Sequence, residues 1–188
     1  LSGEAHLRQR MPLQERPDTA LTVVMPLSTI DPATFRSVLG RFASGVTVVT
    51  VRDNQHYDHG MTVSAFCSLS LEPPLVLVCI EKSASLHGVL AIGNFATQFA
   101  VNILESEQED IARRFAEEHP DRFEGVGFTR GRTGAPILED CLAVIECEVQ
   151  SRHPAGDHTI VVGTVIASAT SDGSPLLYYR GGYATLER

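Results

Sequence analysis

From Gly45 the chain runs Val46-Thr47-Val48-Val49-Thr50-Val51, six consecutive β-branched residues. Two heavy atoms on each Cβ restrict χ1 and favour the pleated strand over the helix. The turn residues Asp53-Asn54-Gln55 follow, and a second extended stretch runs from His56 to Ala65, so the pair predicts a hairpin. The same rhythm returns along the chain. Leu75 to Ile80 is a short apolar run after Pro73-Pro74, expected to be buried on both faces, and Phe99 to Leu104 reads as another core strand. In Cys141 to Gln150, Ala143, Ile145, Cys147 and Val149 alternate with Glu146, Glu148 and Gln150, and Pro154-Ala155-Gly156-Asp157 turns the chain into a long strand from Thr159 to Ala169. Strands at short spacing without a βαβ rhythm predict a mainly β fold with inserted helices, a mostly antiparallel barrel.

The helices are few. Asp31-Pro32 offers an N-cap with proline at the first helical position, and Phe35, Val38, Leu39 and Phe42 recur at helical spacing to about Ala43. Ser85 to Ile92 reads as a short helix. Ser106-Glu107-Gln108-Glu109 matches the capping box, predicting a helix to about Glu118. Residues 1 to 29 show no period and are expected to be a flexible extension, leaving 30 to 188 as one domain.

Charge narrows the function. A net charge of -8 and a pI near 5.3 argue against a nucleic-acid surface, which needs clustered Lys and Arg. No apolar stretch is long enough for a transmembrane helix, and Leu21 to Leu27 is too short and too broken by Pro26 for a signal-peptide core. Cys67, Cys79, Cys141 and Cys147 form no C-x-x-C pair and are expected to be reduced, in the cytoplasm.

Four segments could carry chemistry, each with a plain structural alternative. Gly60 to Ser70 places hydroxyls at Thr62, Ser64, Ser68 and Ser70 among small residues, which lets a planar ligand reach the backbone; it is equally a Ser/Thr-rich sheet edge. Lys82, Ser83 and Ser85 gather a cation and two hydroxyls before a helix, suiting a phosphate, or Ser83 simply caps that helix. Gly156-Asp157-His158 delivers a histidine to a strand mouth, where it can bond a cofactor amide or be merely solvated. Tyr178-Tyr179-Arg180-Gly181-Gly182-Tyr183 can stack on and pair with a nucleotide, or close the barrel as an edge strand. No phosphate-binding G-x-x-x-x-G-K loop, strand-led G-x-G-x-x-G, H-E-x-x-H or G-x-S-x-G occurs, and His56-x-x-His59 lacks a third ligand, so no metal is expected.

In order, Phe42 to Thr50, Thr62 to Pro74, Phe99-Ala100-Val101-Asn102-Ile103-Leu104, Gly156-Asp157-His158 and Leu177 to Tyr183 resemble the flavin reductase-like family, with its FMN-binding split β-barrel. These are the reductase components of two-component flavin-dependent monooxygenases, and the closest look is to actinomycete reductases of antibiotic pathways. The resemblance implies an NAD(P)H-dependent reductase, NADH rather than NADPH, that reduces FMN or FAD and hands diffusible reduced flavin to a partner monooxygenase. It implies a homodimer with flavin near the subunit interface. Carried over by residue, Thr62, Val63, Ser64 and Ala65 would line the flavin ring, Ser68 and Ser70 the ribityl chain or phosphate, and Lys82, Ser83 and Ser85 the phosphate. Asn102 would orient a nearby backbone turn, His158 would stand beside the nicotinamide, and Arg180 and Tyr183 would meet the dinucleotide. The rival readings are a flavin-retaining oxidase or oxygenase on the same barrel and a non-catalytic flavin- or haem-binding module.

Overall fold

A computed structural model describes residues 30–92, 95–117, 119 and 121–186. The extension expected over residues 1 to 29 lies outside them. The described strands are β1 (Ser44–Gly45), β2 (Thr47–Arg52), β3 (Asp58–Val63), β4 (Phe66–Leu71), β5 (Pro74–Glu81), β6 (Gln98–Ile103), β7 (Phe128–Arg130), β8 (Pro136–Leu138), β9 (Ala143–Ala155), β10 (His158–Thr170), β11 (Leu176–Tyr179) and β12 (Gly182–Thr185). Among the described residues two α-helices, α1 (Pro32–Leu39) and α2 (Glu109–Ala116), join them, with one π-helical turn at His87–Ala91.

Seven strands form one sheet in the order β3-β2-β6-β9-β10-β5-β4, every neighbouring pair antiparallel. Its two edge strands, β3 and β4, are consecutive in the chain, joined only by Ser64 and Ala65. Flat, the edges would lie about 29 Å apart at ~4.8 Å per strand spacing, whereas three Cα steps reach about 10 Å. The sheet must therefore roll into a barrel, and the Cys79 N–H donates to the Ala65 carbonyl at 3.0 Å, carrying the β4/β5 ladder up to the seam.

Strand β2 is buried on both faces because it serves two cores. Val49 and Val51 pack inside the barrel with Val78, Ile80, Phe99, Val101 and Val161. Val46 and Val48 pack outside it with Leu104, Ala112, Phe115 and Leu176, beneath α2 and β11. Two-sided burial was expected of β5, but β5 alternates: Val76, Val78 and Ile80 are buried and their neighbours only partly so.

Other expectations shift in detail. The hairpin β2/β3 forms, with β3 opening at Asp58 rather than His56, since Asp53 Oδ1 accepts the Gln55 and Tyr57 N–H groups and holds the turn wider. Helix α1 ends at Leu39. The Ser85–Ile92 segment becomes mostly the π-helical turn. The capping box does not form: the N-cap of α2 is Gln108, the Ser106 hydroxyl donates to Glu105, and α2 stops at Ala116. Glu146, expected outward, is buried; its carboxylate accepts the Thr133 N–H at 2.7 Å and hydroxyl at 2.8 Å, tying down the β7/β8 loop. The C-terminal tyrosines do not close the barrel but lie on a separate three-stranded sheet, β1-β11-β12.

Candidate functional site

At the barrel seam a cleft of about 340 Å³ opens to the surface. One wall is the end of β3 and the seam itself, Met61, Thr62, Val63, Ser64 and Ala65; Cys79 and Glu81 of β5, then Ser83, Ala84 and Ser85, form another. Ala116, Arg122 and His158 complete it. Most of these side chains are small, so a flat molecule can approach the backbone itself. The N–H groups of Ser64, Ala65, Ser83 and Ser85 donate to no backbone carbonyl among the described residues. A chain that leaves strand pairing at a seam frees such donors, and they suit an acceptor-rich heteroaromatic edge or a phosphate. Thr62 is different: its hydroxyl donates to the Ala112 carbonyl at 2.7 Å, fastening α2 to the cleft wall.

His158 reaches the cleft from a two-residue hairpin turn between β9 and β10, where Ala155 pairs with His158. Gly156 takes φ +62° at the first central position, a conformation open to glycine at no steric cost. His158 Nδ1 lies 2.8 Å from Asp157 Oδ1. The hydrogen bond from His158 holds the exposed Asp157 carboxyl below its ordinary range, so the carboxylate accepts and Nδ1–H donates. That leaves Nε2 as the free ring nitrogen. Cys79, by contrast, is driven away from thiolate by burial.

Seven of the residues singled out in the sequence meet here: Thr62, Val63, Ser64, Ala65, Ser83, Ser85 and His158. Lys82 stands beside the cleft without lining it, because its Nζ donates to the Gly156 carbonyl at 2.5 Å and its N–H to that of Asp157 at 2.9 Å. It braces the turn that carries His158. Ser83 does not cap a helix; its hydroxyl donates to Glu81 Oε1 at 2.8 Å. Ser68 and Ser70 lie on β4 beyond the seam, outside the cleft lining. Asn102 is fully buried, donating to the Val48 carbonyl and the Thr50 hydroxyl and accepting the Leu138 N–H at 2.9 Å, so it pins β8 to the barrel. Arg180 and Tyr183 belong to the β11/β12 hairpin and do not line this cleft. Arg180 occupies the turn with φ +54° beside Gly181, and Tyr183 packs under the Arg113 guanidinium of α2, 5.0 Å from its ring centre.

Sequence reasoning missed Arg122, Glu81 and Ala116. Arg122 sits in a polar stretch with no period, and nothing local shows that its Nη1 would donate to the Gly60 carbonyl at 2.6 Å and so bring it to the cleft. His59, half of the H-x-x-H pair, has its Nε2 2.9 Å from Asp53 Oδ2.

The flavin reductase like domain family model matches residues 39–187. The chain belongs to the flavin reductase-like family. Among curated relatives, the reductase subunit HsaB of a flavin-dependent monooxygenase from Mycobacterium tuberculosis H37Rv is 44% identical over 84% of this chain and 84% of its own length. An NADH-dependent flavin reductase from Rhodococcus is 43% identical over 84% of this chain and 88% of its own. The NADH:FAD oxidoreductase SgcE6 of Streptomyces globisporus, solved with NAD and FAD fragments, superposes with a TM-score of 0.78 at 38% identity, covering 84% of this chain and 93% of that one. The fold is thus the flavin reductase split barrel.

Proposed function

We propose that the chain is an NAD(P)H-dependent flavin reductase, with NADH the favoured donor, whose seam cleft binds FMN or FAD and releases it reduced to a partner monooxygenase. The observation that carries this reading is the cleft itself: unpaired amides at Ser64, Ala65, Ser83 and Ser85 on small residues, facing a histidine whose tautomer is set.

The cofactors supply the redox step, a hydride passing from nicotinamide C4 to flavin N5. The protein's contribution is position. Amides of Ser64 and Ala65 donate to the acceptor-rich edge of the flavin ring and stabilise the charge that builds there on reduction. Amides and hydroxyls of Ser83 and Ser85 receive the phosphate end. Free Nε2 of His158 accepts a hydrogen bond from the nicotinamide carboxamide and holds that ring over the flavin, lowering the entropic cost of hydride transfer. Ser64, Ala65, Ser83 and Ser85 are all exposed in the single chain and so are open to an incoming flavin.

The working unit is a homodimer. Helix α1 buries none of its residues, and Ile30, Phe35, Val38, Leu39 and Phe42 leave 50 to 82% of their surface exposed, an apolar face that a second copy would cover. NADH as the proposed donor and the four free cysteines support a cytoplasmic enzyme. Oxidation of NADH and NADPH is followed with FMN, FAD or riboflavin in excess. Many flavins turned over per enzyme supports a releasing reductase, and no oxidation with any pair defeats it.

A further inference from the structure

Among the described residues Glu81 is the one carboxylic acid that lines the seam cleft, and it makes none of the contacts proposed above for flavin or nicotinamide. It ends β5, and its register partner is His158 at the start of β10. The next pair outward is hydrogen-bonded, with the Lys82 N–H donating to the Asp157 carbonyl at 2.9 Å. Antiparallel pairs alternate, so Glu81 and His158 form a pair of the non-hydrogen-bonded kind, whose Cα atoms stand about 4.5 Å apart with both side chains on one face. The two side chains enter the cleft together. The carboxylate there is oriented and unopposed. Ser83 Oγ donates to Glu81 Oε1 at 2.8 Å, and among the described residues no cation pairs with it. Lys82 turns to the Gly156 carbonyl at 2.5 Å, and Arg122, on the same cleft, is bonded to the Gly60 carbonyl.

A negative charge beside the nicotinamide acts on one step of the reaction. In NADH that ring is neutral. As the C4–H bond breaks, its electron pair leaves with the hydrogen to form the N5–H bond of the flavin; the flavin is reduced and the nicotinamide is oxidised to a pyridinium cation. A group that attracts the ring only as it becomes cationic lowers the barrier and leaves binding of the neutral substrate unchanged. We propose that the Glu81 carboxylate faces the nicotinamide ring held by His158 and stabilises the positive charge the ring acquires as it gives up hydride. Glu81 is then a catalytic residue that acts by charge alone, with no proton moved. The same attraction outlasts the reaction, so the cleft favours NAD+ over NADH at this ring and product inhibition is built into the site. The inference rests on the reductase reading, with His158 beside the nicotinamide.

The test separates charge from contact in the full chain and in Glu81→Gln and Glu81→Asp. Flavin-loaded protein is mixed with NADH without oxygen, and single turnovers give the NADH dissociation constant and the limiting rate. The NAD+ constant is read apart from turnover, by the change in flavin absorbance on titration. For E81Q the limiting rate is expected to fall and the NAD+ constant to rise, each by about three- to tenfold, while the NADH constant stays within about twofold. E81D keeps the charge and recovers part of both. The gap between E81Q and the parent narrows in about 1 M salt, where the screening length is about 3 Å. A folded E81Q, checked by circular dichroism, whose limiting rate and NAD+ constant match the parent overturns the proposal. An E81Q that weakens NADH and NAD+ equally also overturns it, since that loss belongs to a contact indifferent to ring charge. Glu81 is exposed, and should E81Q not fold, Glu81→Ala is judged by the same constants. Failure of the reductase reading looks different: the parent itself then reduces no flavin with NADH.

Discussion

His158 shows how one hydrogen bond can set a role. The Asp157 carboxylate accepts from Nδ1–H, which leaves Nε2 free to meet a ligand. A histidine held this way positions a neighbour's N–H and does not deliver a proton. Replacing it removes one hydrogen bond, on the order of 0.5–1.5 kcal/mol, with hydride transfer itself left to the cofactors. His158→Ala is therefore expected to raise the KM for NADH by about two- to tenfold with a smaller fall in kcat, and His158→Gln, which keeps an acceptor, to recover part of the loss. Steady-state kinetics with NADH varied at saturating flavin checks this; a collapse of kcat with KM constant would instead make His158 a catalytic acid.

At the scale of elements, the β2/β3 hairpin and the β9/β10 ladder carry the consequences. Partial burial raises the Asp53 carboxyl, but hydrogen bonds from His59, Tyr57 and Gln55 outweigh it and leave the group below its ordinary value of 3.8. A carboxyl depressed on folding contributes stability that is complete above 3.8 and is lost as pH falls through the lower folded value. Asp53→Asn should therefore lower the melting temperature at pH 6 and narrow its gap to the wild type as pH drops below 4, read by thermal melts across that range. In the other ladder, register shifts between Val162 and Gly163, where a Cβ would meet Phe99 at 2.5 Å and the Cβ of Cys147 at 2.9 Å. Gly163→Ala overpacks the barrel interior and is expected to cost about 1–3 kcal/mol, measured by urea unfolding. These elements also show what the sequence could and could not reveal. β-Branched runs and turn residues located β2, β3, β5, β6 and β10 to within a few residues, since both act through neighbours in the chain, whereas the short β7 and β8 were not read as strands. The face of Glu146 was misread because its partner Thr133 is supplied by a distant loop. Arg122 was missed, and the backbone that Asn102 orients could not be named, because each is defined by a segment it meets across the barrel, Gly60 for one and Leu138 for the other.

For the whole molecule, the open question is what covers α1. Its cap is sound: Asp31 accepts the Thr34 N–H at 2.9 Å, and Pro32 starts the helix. Yet Val38 on the helix is 64% exposed and Phe42, just beyond its end, 82%, and neither belongs to either core of its own chain. A side chain of this kind gains about 1.5–3 kcal/mol when fully buried, so several together can hold two copies at micromolar concentration. The seam shares the same exposure, with Ser64 and Ala65 open to solvent in one chain. If the dimer shelters the flavin, assembly and affinity should fall together. Val38→Glu and Phe42→Glu place a charge where the partner would sit, and a buried unpaired carboxylate costs more than the apolar contact it replaces. Each variant is expected to elute as a folded monomer by light scattering where the parent is a dimer, and to bind FAD more weakly. Monomers with undiminished flavin affinity would make each cleft complete within one chain, and a parent already monomeric at assay concentration would remove the dimer from the reading altogether.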